Sequence, residues 1–170
     1  MNITVDWLVS ENACPPAIDR ARAELNGGLP LSDVIERLDR ADWLIWLLRW
    51  TKTCNRLQLV KLSCLCARTV LHLVPPGEDD SRLDIEAAEA VVRHDTPQNR
   101  ARAARAAWPA GAAARAALAA EAAAWAAAWA AGAEAGAVAR AAAWAAHHKD
   151  MCALIRDEMK KDSFKAIREG

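Results

Sequence analysis

The side chains with metal or nucleophilic chemistry gather in two places. His147, His148, Asp150 and Cys152 lie close together, and His148 and Cys152 are four apart, so on a helix they share a face and could offer a metal two ligands. Two more would have to arrive from elsewhere, and the plainer reading is a solvated helix end. In the second group, Cys66 and His72 are six apart and fall on different helical faces. Cys64 and His72, eight apart, point only roughly the same way in an otherwise apolar stretch, where two core residues explain them as well as a thiol–imidazole pair. No glycine-rich phosphate loop, nucleophile elbow or paired catalytic carboxylate occurs. The residues therefore assign no catalytic group, metal or cofactor and lead to a non-enzymatic reading, with a Cys/His-dependent enzyme or metal-binding protein as the alternative.

Recognition is left as the chemistry to look for. Glu78, Asp79, Asp80 and Asp84 dress a helix N-terminus to suit its dipole, and the same charges could dock a basic partner. Arg93, Arg100, Arg102 and Arg105 form a basic counterpart among alanines, either a solvated face or a second docking patch. Eight Trp carry nearly all the aromatic bulk, since Tyr is absent and Phe occurs once. Most Trp are expected in core or helix seams; Trp7 and Trp144 are singled out as exposed anchors, because Trp is enriched at binding hot spots.

Length and charge bound these readings. The 170 residues suit one domain, and 22 basic against 22 acidic groups leave a formal charge of zero. A balanced chain lacks the basic excess with which a nucleic-acid binder neutralises phosphates, and no direct nucleic-acid binding is expected. Five cysteines without disulfide or zinc spacing are expected reduced. No basic run precedes a short apolar core, so no export signal is expected and the cytoplasm is the expected compartment. Residues 116–133 carry only Glu121 as a charge, but alanine is a poor lipid-facing residue, and no membrane span is expected.

The elements that must position these groups all read as helices. Pro15-Pro16 opens one that Asn26-Gly27-Gly28 stops. Ser32 or Asp33 caps a short second through Leu38, and Asp39 caps a third. There Trp43, Trp46, Leu47 and Trp50 share a face while Leu44, Ile45 and Leu48 make the helix apolar nearly all round, the pattern of a buried helix. A central helix follows from about Thr53 to Val74, ended by Pro75-Pro76-Gly77, and another runs from Leu83 to about Arg93. After Thr96-Pro97 comes a segment, 101–146, in which 30 of 46 residues are Ala, so strongly helix-forming that nothing competes. Pro109 interrupts it. Gly132 and Gly136 are either break points or flat sites for a second helix, and a homodimer through the Ala-rich helices is a possible consequence.

Together these pieces resemble the alanine-rich proteins of bacteria and phages classed as immunity proteins from their neighbourhood to polymorphic-toxin genes. The resemblance rests on Asp42-Trp43-Leu44 with Trp46-Leu47, on Cys66-Ala67-Arg68 with Leu73-Val74-Pro75, and on Gly77-Glu78-Asp79. It continues in Ile85-Glu86-Ala87-Ala88-Glu89 and the Ala/Trp tail, covering roughly residues 12 to 156. The tail departs from that pattern in its few acidic residues, its lack of Tyr and in Pro109. The resemblance implies an inhibitor that acts by binding and supplies no catalytic residues.

The expected architecture is an all-α multi-helix bundle, 1–170, with a Leu/Trp-rich half (1–95), an Ala-rich helical half (96–160) and a tail (161–170). Its buried central helices are covered by the N-terminal helices and by the Ala-rich array. The expected function is stoichiometric neutralisation of a target protein, either a toxin or, for a phage protein, a host-defence component such as CRISPR interference. A homo-oligomeric structural module is the third reading.

Overall fold

A computed structural model describes residues 1–25, 27–69, 71, 80–104 and 134–167. The expected all-α architecture is observed: helices carry the fold, and the sheet is a two-residue antiparallel pair, β1 (Asn2–Ile3) and β2 (Leu29–Pro30). No strand was expected, because two-residue strands are too short for an alternating pattern. The pairing needs glycine at Gly28, which adopts φ +109° and where a Cβ would stand 2.9 Å from Thr4 Cγ2 and 3.1 Å from the Ile3 carbonyl oxygen.

Helix α1 (Val5–Ser10) is capped by Thr4, whose Oγ1 accepts the Trp7 N–H. Helix α2 (Pro15–Glu24) starts on its two prolines, as expected. Helix α3 (Leu31–Arg37) starts one residue before Ser32, and neither Ser32 nor Asp33 caps it. Helix α4 (Ala41–Trp50) follows a short link. Helix α5 (Arg56–Thr69) opens on a reciprocal capping box in which Asn55 N–H donates to Gln58 Oε1 and Gln58 N–H to Asn55 Oδ1, both at 2.9 Å. Helix α6 (Asp80–Arg93) lies along α5, tied to it by the Arg68–Glu89 ion pair. Thr96 then caps α7, described over 97–104, through a 3.1 Å bond from the Asn99 N–H. Helices α8 (Glu134–Lys160) and α9 (Asp162–Lys165) close the fold.

Helix α4 separates two apolar clusters. Leu44 and Leu48, fully buried, face Leu62 of α5, Met151, Cys152 and Ile155 of α8, and Phe164 of α9. Leu47 turns the other way, towards Ile3, Leu8, Ala13 and Ala21. This corrects the expectation of a helix buried nearly all round. The sequence carries two overlapping 3/4 patterns, and the Leu stripe takes the core; Trp43 and Trp46 are half-buried and Trp50 is 43% exposed. Branched and unbranched aliphatics of similar size interdigitate tightly between three helices, whereas indoles at the same spacing would overfill that seam.

The helix through 147–152 does not end there: α8 runs unbroken from Glu134 past Gly136 to Lys160, 27 residues and about 40 Å at 1.5 Å per residue. Its described contacts with the core come from the mixed-composition stretch after Ala146. Most of the Ala-rich segment, with Pro109, Trp125, Trp129 and Gly132, lies outside the described residues.

Candidate functional site

The groups that looked capable of chemistry are used mainly to join helices. The α8 face bearing His148, Cys152, Ile155 and Arg156 packs over the α3–α4 link. His148 Nδ1 accepts the Ala41 N–H at 3.3 Å, supplying a cap that Arg40, the residue at the N-cap position of α4, does not supply. Asp39, the expected cap, is instead paired with Arg20 of α2. Two turns further along α8, Arg156 donates through Nε to the Ile35 carbonyl at 2.8 Å and through its other arm to the Leu38 carbonyl, closing the C-terminal end of α3. Glu158, buried, takes Lys61 of α5 at 2.6 Å and Lys161 at 2.7 Å, and these two ammonium groups, Lys161 first, hold its carboxyl below the usual carboxylate range.

These contacts decide what the cysteines and histidines can do. All five thiols are free. Burial pushes Cys54, Cys64, Cys66 and Cys152 up to about 11, so at neutral pH each is a protonated, poorly nucleophilic thiol. Burial likewise lowers His148 below its ordinary 6.5, keeping it neutral with Nδ1 free to accept. His148 and Cys152 share a face as expected, but that face is inside the molecule. No group of three or more His, Cys, Asp or Glu among the described residues could hold a metal ion. His72 lies outside the described residues.

The basic patch is partly self-neutralised. Glu78, Asp79 and Arg105 lie outside the described residues. Asp80 opens α6, and Asp84 is half-buried on it rather than part of an open acidic rim. Arg93 reaches Glu89 at 3.9 Å, while Arg100 makes a two-pronged bond to Asp95, a nearly buried carboxylate that Arg56 also holds. Arg102 is exposed.

The aromatic surface is the remaining candidate. Trp144 is 56% exposed, edge-on to His148 with ring centroids 4.7 Å apart. Trp7 is half-buried and opens a ladder of indoles, Trp7–Trp46–Trp50, with successive centroids 6.0 Å apart, spacing at which aromatic rings attract. The ladder ends in the open at Trp50, beneath the Arg49 guanidinium at 5.7 Å. Nearby, Trp43 lies between Arg40 at 4.7 Å and Arg20 at 6.0 Å. Trp50 was missed because it shared a helical pattern with Trp46; its place at the last position of α4, just before the left-handed Lys52 (φ 55°), was the available signal of exposure.

The fold defines an all-α multi-helix class of protein. Compared with known protein families, curated proteins and solved structures, the chain matches none. No helix among the described residues is long and apolar enough to cross a membrane.

Proposed function

We propose that this chain is a small binding protein that neutralises a target protein by stoichiometric occlusion. The target is a toxin or, for a phage-encoded chain, a component of a host defence system. The observation that carries this reading is the exposure of two Trp, Trp50 at 43% and Trp144 at 56%, on α4 and α8. An indole left in water at a rigid helical position is a preformed anchor: it brings large contact area at small entropic cost. The enzyme reading is disfavoured by the four raised thiols and by the commitment of His148 to a helix cap.

The test is a titration against the product of the neighbouring toxin or defence gene. Inhibition reaches a sharp equivalence point at a fixed molar ratio, and Trp50→Ala or Trp144→Ala weakens it while leaving the melt in place. Complete inhibition by a small fraction of an equivalent, lost on replacing one Cys or His in a normally folded variant, would show catalysis instead.

A further inference from the structure

A cavity of about 380 Å³ opens between α2, α3 and α4. Core packing leaves few voids larger than a water molecule, whereas this volume lies in the range of small-molecule sites. Leu8 and Leu47 belong to its apolar lining, and Trp43 and Trp46 give it an aromatic wall.

Four charged side chains line it, and three are committed. Arg20 is held by Glu24 at 2.9 Å and by Asp39, and Asp42 takes Arg40 through both carboxylate oxygens. The fourth is Arg37, exposed at the last turn of α3, with no ion pair or side-chain hydrogen bond to the described residues. An apolar chamber with one uncommitted guanidinium at its edge is complementary to a molecule with an apolar body and a single anionic head. A carboxylate suits best, because its two oxygens match the planar guanidinium fork.

We propose that this cavity binds a free aliphatic monocarboxylate, with the chain against Trp43 and Trp46 and the carboxylate on Arg37. The cavity includes neither Trp50 nor Trp144, although its Trp46 wall stacks on Trp50 at 6.0 Å, and binding of a small molecule is read without reference to any protein target.

Isothermal titration of the full chain with decanoate, kept below its micelle-forming concentration, tests this, with decanol as the neutral counterpart. Decanoate should saturate at one per chain and bind about tenfold more tightly than decanol, as expected for a charge-assisted head contact. Arg37→Glu, a surface change, should lower decanoate affinity by about tenfold or more with circular dichroism and melting unchanged. Ala17→Phe, at a half-buried lining position of α2, should block the chamber and abolish binding; if that variant misfolds, Arg37→Glu and the decanol comparison decide. Absence of saturable decanoate binding, equal binding of decanol, or an unchanged affinity in Arg37→Glu would overturn the proposal.

Discussion

His148 accepts the backbone N–H of Ala41 at 3.3 Å across 107 positions of sequence, so the first turn of α4 is completed by a side chain from α8. The contact requires an unprotonated Nδ1, and the imidazole is almost fully enclosed. Asp42 Oδ1, 3.9 Å from Nδ1, favours the charged form, but burial outweighs it and the folded-state pKa lies below 6.5. A histidine titrating lower in the folded state than in the unfolded one contributes stability that is complete above pH 6.5 and is lost as pH falls through the folded pKa.

The His148→Ala variant should therefore lose about 0.5–2 kcal/mol at pH 7.5, the range for a helix cap, and less at pH 5. Urea unfolding of both proteins across this window checks it. Parallel pH profiles for parent and variant would contradict the role given to Nδ1.

Arg156→Met keeps the aliphatic stem and removes the donors to the Ile35 and Leu38 carbonyls. Hydrogen bonds from a charged donor are worth about 1.5–3 kcal/mol, so the unfolding midpoint should fall accordingly. Hydrogen exchange should show the loosening first at the end of α3. A variant as stable as the parent would mean that water replaces the guanidinium without cost.

The orientation of α4 predicts opposite outcomes for two of its large side chains. Leu48→Ala, at a fully buried position, should cost about 2–5 kcal/mol. Trp50→Ala, at an exposed one, should change stability by less than about 1 kcal/mol although it deletes more atoms. The reverse ranking in denaturant melts would put the indoles in the core.

Thiol reactivity follows from burial. In the native state at pH 8, Cys14 is exposed and should react promptly with Ellman's reagent, whereas Cys54, Cys64, Cys66 and Cys152, held near 11, should react only as the chain opens. A second fast thiol would identify a reactive site that the fold does not account for.

Much of the helical layout is legible in the chain itself. Pro15-Pro16 starts α2 and Thr96 caps α7. The candidate surface was legible only in part. Trp144 is exposed as expected of a binding anchor, but Trp50 could not be separated from Trp46 by spacing, since both satisfy the same helical repeat. Arg37 carries no motif at all; its place beside an apolar chamber depends on how α2 and α4 meet α3.

By itself the sequence determined helix formation, because propensity, capping and proline placement act within a few residues. It also marked α4 and α5 as the apolar helices around which the core forms. Only the tertiary structure decided which stripe of α4 is buried, that His148 and Arg156 would serve as caps for helices more than a hundred residues away, and that Cys54, Cys64 and Cys152 would all be buried. Those outcomes are properties of packing. A polar or aromatic side chain has several acceptable environments, and the one it occupies is fixed by which distant backbone groups would otherwise be left without a partner.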